Sequence, residues 1–402
     1  MSDLDLFFEG YFEKKIPAEN TPSAERKDIH EILAGSYVDP HQNVFVREWV
    51  QPSPLLPESS DELPLPLPDI LWQWAGLEHL RAIPRSAILF VDTETSGLAG
   101  GTGTYPFLVG LGFFDRTDFV VRQYFLRDLS GEEAFLEQFE EFLAAYRVLV
   151  SFNGKSFDIP LLQTRLILQQ RATSLAGFGQ IDLLHLARRV WKGLFPSYAL
   201  QSLESRLLGQ PRDQSIDIPG WQIPAVYFEY LETRDARNLL PIFQHNLVDV
   251  VSMVKLLDLA ARCVDYQRPE WLFLDGSISG IGRLYEDAGS IAMALPFYET
   301  AQRTARLDAA ARAELARLYK KLGQWEQARA LWLESAELGD LPALIELAKL
   351  AEHHDKDIPA ALAWTCQALQ WGQRDALSDM AILVELDRRR RRLEEKLQRR
   401  GK

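Results

Sequence analysis

Cysteine is nearly absent. Cys263 and Cys366 are the two present in 402 residues, far apart and in no Cys-x-x-Cys pattern. That excludes a cysteine zinc cluster and a disulfide framework, and it fits a reducing cytosol. No apolar run approaches the ~20 residues a spanning helix needs, so no membrane contact is expected. The first ten residues, MSDLDLFFEG, lack a basic start and an apolar core and do not read as a signal peptide. The expected location is therefore the cytoplasm. A basic excess is missing too: 44 Lys+Arg stand against 57 Asp+Glu, a net charge of −13. A chain of that sign does not coat nucleic acid by bulk attraction, so any polyanion contact has to be local.

What is present is enough apolar residue, 47%, for sizeable cores, and enough length for two or three domains. The charge is uneven. Residues 1–85 hold 7 Lys+Arg against 15 Asp+Glu, or −8, while residues 384–402 hold 9 against 4, or +5. Residues 1–82 form an acidic, proline-rich region. Its first 27 residues read as loosely ordered. A short hairpin surrounds Asp39-Pro40-His41-Gln42-Asn43, residues 51–68 read as an extended proline-rich strap, and a helix is expected over 70–80.

From 83 to 265 the pattern is mixed α/β. Strands are expected at 88–92, 105–114, 119–125 and 148–151. The first three, joined by short turns, imply an antiparallel meander. Helices are expected at 132–145, 157–170, 183–191, 197–207, 227–233 and 239–261. The glycine run Gly100-Gly101-Thr102-Gly103-Thr104 joins strand to strand and lacks the Gly-Lys-Ser/Thr of a phosphate loop, so a tight turn is the better reading. After about residue 269 the texture is continuous helix. Leu284-Tyr285, Gly289, Ala294 and Phe297-Tyr298 recur thirty-four residues on as Leu318-Tyr319, Gly323, Ala328 and Leu331-Trp332, with a weaker third copy at Leu350-Ala351, Ala361 and Trp364. This 275–375 segment resembles tetratricopeptide repeats, against the alternative of a nonrepeating bundle. Residues 376–402 form a basic tail with Arg388–Arg392 in a row, either a solvated helix face or a nucleic-acid contact.

The α/β region carries acids where structure alone does not require them. Asp92 and Glu94 are two residues apart at the end of an apolar run, so a strand puts both on one face. Like charges set side by side suggest a cation between them. Asp158 stands at a strand-to-helix turn, Asp182 precedes a helix, and His245 and Asp249 share a helical face at i and i+4. Each has a structural alternative: a helix cap for Asp158 or Asp182, a satisfied helix histidine for His245, a surface carboxylate for Asp249.

Six blocks together carry a family resemblance: DTETSGL at 92–98, GGTGTYPFLVGLG at 100–112, NGKSFDIPLL at 153–162, IDLLHLARR at 181–189, SYALQSLESRLLG at 197–209 and HNLVDV at 245–250. In their order and spacing residues 86–262 resemble the RNase H-like exonucleases of the DEDD class, most closely the YprB-like branch. The resemblance implies an α/β RNase H-like fold followed by the helical repeats. It implies metal ligation by Asp92, Glu94, Asp158 and Asp249, two Mg²⁺ or Mn²⁺ ions, and His245 as general base. One departure stands out. A histidine in this family stands five residues before the last acid and a tyrosine four before it; here His245 takes the tyrosine spacing. Asp182 matches a recurrent position with no assigned role. Thr93, Asn153, Lys155 and Tyr198 are candidate substrate contacts.

Hard divalent ions prefer oxygen ligands, and two of them set about 4 Å apart can activate water and stabilise the leaving oxygen of a phosphodiester. The expected activity is a metal-dependent 3′→5′ exonuclease on single-stranded DNA or RNA, with a protein partner docked on the repeat segment. The alternatives are a binding or scaffold protein with a dormant nuclease fold, and a structure-specific endonuclease using the same site.

Overall fold

The computed structural model describes residues 26–52, 67–97, 102–172, 174–213, 217–265, 276–374 and 379–400. The expectations for residues 1–25, for most of the proline-rich stretch and for Gly100 and Gly101 lie outside these.

After a single turn of helix, α1 (Ile29–Ile32), the chain forms β1 (Ser36–Tyr37) and β2 (Val44–Pro52). These pair antiparallel, and β2 runs along β5 from Val44 opposite Leu126 to Pro52 opposite Asp118. The hairpin read in the N-terminal region thus extends the main sheet. The helix expected over 70–80 is shorter. α2 (Asp69–Ala75) ends where Gly76 turns left-handed at φ 70°, and a single tight turn, Glu78–Leu80, follows.

The meander is β3 (Ile88–Thr95), β4 (Pro106–Asp115) and β5 (Asp118–Leu126). α3 (Glu132–Leu143), β6 (Val148–Ser151), α4 (Asp158–Leu168), β7 (Gly179–Asp182) and α5 (Leu183–Val190) follow as strand–helix units. The sheet order is β1-β2-β5-β4-β3-β6-β7, with β3-β6 and β6-β7 parallel and the other pairs antiparallel. β7 was not read as a strand. It has four residues, too few to show a period. The helix expected over 197–207 is also different. α6 (Leu200–Leu203) runs into a widened π-helical turn, Glu204–Leu208. α7 (Ile223–Thr233) and the long α8 (Leu240–Val264) complete this part.

Period-two alternation sorts β3 between two cores. Leu89 and Val91 face α3, α4 and α7, while Ile88 and Phe90 face α5 and α8. The second core does not stop at the sheet. It continues through Leu257 of α8 into Ile281, Leu284 and Phe297 and on to Leu386. Those residues belong to an all-α region of packed helices: α9 (Ile278–Asp287), α10 (Ile291–Arg303), α11 (Ala309–Lys321), α12 (Trp325–Glu337), α13 (Leu341–His353), α14 (Ile358–Arg374) and α15 (Met380–Arg400). The turns after α9 and α11 are closed by left-handed Gly289 and Gly323. Polar bonds join the two parts as well. Ser277 N donates to Val190 O at 2.7 Å, Arg189 pairs with Asp287 at 2.8 Å, and the Tyr285 hydroxyl donates to Val264 O.

The arginine run lies on α15, and most of its members are paired within the chain. Arg389, Arg392 and Lys396 converge on Glu352, at 2.7, 2.8 and 2.7 Å, and the Glu352 side chain is 1% exposed. Arg390 and Arg391 pair with Asp387 on their own helix. Burial opposes ionisation of Glu352, but the three cations outweigh it and hold the carboxyl below its usual range. Glu352→Gln should therefore destabilise the protein by about 3 kcal/mol, since it leaves clustered cations without their buried counter-charge. Glu394→Gln, a half-exposed acid of α15 paired with Arg390, should cost about 0.5 kcal/mol or less. Urea denaturation of both variants checks the difference.

Candidate metal centre

The end of β3 sets the first two acids. Asp92 and Glu94 continue the series of Ile88 and Phe90, so their side chains leave the strand on the α8 side, as the spacing predicts. Asp92 pairs with Gly110 across the β3–β4 ladder. A Cβ at Gly110 would overlap the Asn246 side chain, and one at Gly112 would overlap Val250. The two glycines thus cut a groove in β4 that lets α8 approach. In that groove Asn246, fully buried, donates through Nδ2 to Asp92 Oδ2 at 2.8 Å and to Asp92 O at 3.3 Å. Gln123, on β5, fixes Asn246 in turn by donating to its Oδ1 at 2.8 Å.

Asp158 comes from the turn between β6 and α4. Asn153 takes a left-handed conformation there, φ 64°, which asparagine tolerates better than most residues. Asp182, fully buried at the end of the neighbouring strand β7, holds the turn. It accepts from Asn153 N at 2.9 Å, from Lys155 N at 3.2 Å and from Leu184 N at 3.0 Å. Asp182 is therefore both the cap of α5 and a clamp on the turn that presents Asp158. Thr93, on the opposite face of β3 from its neighbours, donates its hydroxyl to Asp158 Oδ1.

α8 brings His245 and Asp249, one turn apart, with His245 Nε2 3.8 Å from Asp249 Oδ2. His245 Nδ1 lies 2.7 Å from Asp217 Oδ1 and 3.2 Å from Arg212 Nη1. A carboxylate accepts and a guanidinium cannot, so the Nδ1 proton is assigned to the bond with Asp217. Arg212 also donates to Asp249 Oδ1 and to Glu204. Burial pushes His245 down, but the Asp217 hydrogen bond and the Asp249 charge outweigh it and raise its proton affinity.

Beside Glu94 and Asp158 a cleft of about 260 Å³ opens, with Thr93, Phe157, Leu161 and Ile223 among its walls. Burial raises the proton affinity of Asp92 and Glu94 far above the usual carboxylate range, and the charges of Asp158 and Asp249 add to it. Burial lifts Asp158 to about 6. Half-buried carboxylates that raise one another's proton affinity form an all-oxygen donor set short of positive charge, which fits a hard divalent cation. Among the described residues, no three His, Cys, Asp or Glu side chains stand together so as to hold a metal ion. Asp92, Asp158 and Asp249 are each held by a separate donor: Asn246, Thr93 and Arg212.

The remaining candidates are placed differently. Lys155 is exposed on the Asp158 turn. Tyr198 is not drawn to the acids. Its hydroxyl donates to Trp191 O at 2.5 Å and accepts from Gly193 N at 2.9 Å, at the end of α5 opposite Asp182. Four residues escaped the sequence reading: Asn246, Glu204, Arg212 and Asp217. Asn246 lay inside the HNLVDV block beside His245. Glu204 lay inside the SYALQSLESRLLG block, and Arg212 and Asp217 follow it in a stretch whose charges give no periodic signal.

Comparison with known proteins follows the same outline. Residues 89–261 match the RNase H superfamily. The uncharacterized protein YprB of Bacillus subtilis (strain 168) is 31% identical over 341 residues, 78% of this chain and 76% of YprB. Among solved structures, the family B DNA polymerase from the hyperthermophilic archaeon Pyrobaculum calidifontis matches at 18% identity and a TM-score of 0.34. That match covers 55% of this chain, which spans 30% of the polymerase.

The raised acids fix a pH dependence. In the folded, metal-free protein Asp92, Glu94 and Asp158 keep protons at pH values where the unfolded chain, with Asp near 3.8, has released them. Stability without metal should therefore fall as pH rises from about 4 through 6 and beyond. Mn²⁺ should raise the melting temperature more at pH 8 than at pH 5. Glu94→Gln, which removes one of the repelling charges, should raise the melting temperature in EDTA at pH 8 by about 2–4 °C. Differential scanning fluorimetry across pH, with and without Mn²⁺, measures all three.

Proposed function

We propose, on the premise that this chain belongs to one family with YprB and carries an RNase H superfamily domain, that it is a divalent-metal-dependent nuclease. Its substrate on this reading is a single strand of DNA or RNA, shortened from the 3′ end. What supports the proposal is that Asp92 and Glu94, at the end of β3, are buried and feel the charges of Asp158 and Asp249, a balance that a counter-cation would relieve. These four residues would hold the metal. Two bound divalent ions supply the charge that acidifies the attacking water and stabilises the leaving oxygen.

The other roles fall to the chain's own side chains. With its Nδ1 proton on Asp217, His245 presents the Nε2 lone pair toward Asp249, and that nitrogen accepts the proton of the attacking water. Asn246 fixes the rotamer of Asp92, and Thr93 that of Asp158. The cleft beside Glu94 and Asp158 has apolar walls at Phe157, Leu161 and Ile223, against which an unpaired base could pack. That supports a single-stranded end as substrate. Lys155 and Asn153, on the turn that presents Asp158, are the proposed phosphate contacts.

The all-α region is read here as tetratricopeptide-like, spanning 275–375 beside a nuclease domain at 83–265. Paired helices whose turns fall at Gly289 and Gly323, with Ala294 and Ala328 buried at equivalent positions, support that reading. Its proposed role is to dock a protein partner.

The test uses labelled single strands of DNA and RNA, with free or blocked 3′ ends, and Mn²⁺. Stepwise shortening of open strands is expected. Asp92→Asn should slow it by about 10³-fold, or about 4 kcal/mol of transition-state stabilisation. Equal residual activity in wild type and Asp92→Asn would sink the proposal. Equal cutting of open and blocked strands would assign the site to an endonuclease instead.

A further inference from the structure

Arg212 stands among the acids, and no role given above requires it. We propose that Arg212 is a positioning residue of the cation site: a resident guanidinium that holds Asp249 by one oxygen and stays in place when a divalent cation binds. This role rests on the four-acid reading of the site.

Three observations carry it. Arg212 Nε and Nη2 donate to Glu204 Oε2 and Oε1 at 2.6 and 2.7 Å, a two-bond fork that fixes the guanidinium plane. Nη2 then reaches Asp249 Oδ1, while Asp249 Oδ2 is turned toward His245 Nε2 at 3.8 Å. The pair is buried, with 9% of the Arg212 side chain exposed and 1% of Glu204. Glu204 itself opens the π-helical turn Glu204–Leu208, a distortion that recurs at functional sites.

A cation lying against metal-binding acids has two possible roles. As a plug, it would neutralise the site and leave when metal arrives. As a resident, it would orient a ligand and remain. Departure of Arg212 would strip both fork bonds from Glu204, leaving a carboxylate buried without its counter-charge. Remaining requires no such loss, because Asp249 keeps Oδ2 to offer. The arrangement thus restricts Asp249 to a one-oxygen donor facing the His245 side of the site. Lysine could supply the charge but not the planar fork that spans Glu204 and Asp249.

The test has two readouts that need no nucleic acid. Wild type, Arg212→Lys, Glu204→Gln and Asp92→Asn are titrated with Mn²⁺ by calorimetry. Arg212→Lys and Glu204→Gln should each bind about tenfold more weakly than wild type, the loss typical of groups that orient a metal ligand. Separately, the NMR signal of Arg212 Nε–Hε, assigned by its loss in Arg212→Lys, should keep its hydrogen-bonded position when Mg²⁺ is added. Binding by Arg212→Lys as tight as wild type or tighter, or a shift of the Nε–Hε signal to that of a free guanidinium, would overturn the role. Should Arg212→Lys fail to fold by circular dichroism, Glu204→Gln decides by the same isotherm, since an amide cannot hold the fork as a carboxylate does. A wild type that binds no Mn²⁺ would overturn the four-acid reading itself. Binding that Asp92→Asn abolishes and both Arg212→Lys and Glu204→Gln leave intact would overturn the positioning role alone.

Discussion

The approach of α8 to β3 and β4 is the constraint on which the rest of the arrangement depends. It is close because Gly110 and Gly112 present no side chain beneath Asn246 and Val250. In the space so made, Asn246 reaches both the carboxylate and the carbonyl of Asp92. That one contact sets the height and rotation of the helix. A helix has 3.6 residues per turn, so fixing Asn246 over Asp92 also fixes His245 beside it and Asp249 one turn on. The far end of the same helix receives the Tyr285 hydroxyl at Val264 O, which ties the all-α region to the element that carries the site. The Asn246–Asp92 contact and the interface with the helical region thus lie on one helix.

Such an approach gathers negative charge, and the structure distributes donors to tolerate it. Two charges 5 Å apart at an effective dielectric of 20 repel by about 3 kcal/mol, enough to open a marginal site. Asp92 is met by Asn246, Asp158 by Thr93 and Asp249 by Arg212. Two of these donors are neutral, so they orient carboxylates without cancelling the charge that would attract a cation. The one cationic donor, Arg212, is itself balanced by Glu204. The local field therefore stays negative although every oxygen-bearing arm except Glu94 has a described partner to steer it.

What sequence made visible, and what it hid, follows from the range of each interaction. Asp92 and Glu94 were legible because a strand's period is local. Their shared face follows from spacing alone, and the structure sets both beside Phe90 on that face. The sheet's meander was legible for the same reason, through alternation and short turns. β7 was not, because four residues carry no measurable period. The helix over 70–80 was cut by Gly76, whose left-handed φ a sequence pattern registers only as tolerated. Asp182 showed as a cap, which it is. Its second task, clamping Asn153 and Lys155 across 29 and 27 residues, depends on a strand pairing that spacing does not encode. Arg212 and Asp217 were hidden most fully. They reach the site from an irregular stretch, and 33 residues separate Arg212 from His245.

The net charge of −13 takes on a definite meaning in this setting. The C-terminal arginines, the obvious candidates for holding a polyanion, are mostly paired with Glu352 and Asp387 and lie on α15, outside the acid cluster. Charges more than about 8 Å from the cleft are screened at physiological ionic strength in any case. What decides the fate of a phosphate chain is therefore the local balance at the end of β3. Asp92, Glu94, Asp158 and Asp249 face it there, with Arg212 and Glu204 cancelling each other. An empty site of that composition repels phosphate, and a site holding divalent cations attracts it. On the proposed nuclease reading a bound cation would then be more than a participant in the cutting step. It would reverse the sign of the surface that a strand has to approach, which would make cation capture the condition for strand binding and let an acidic protein act on an acidic polymer.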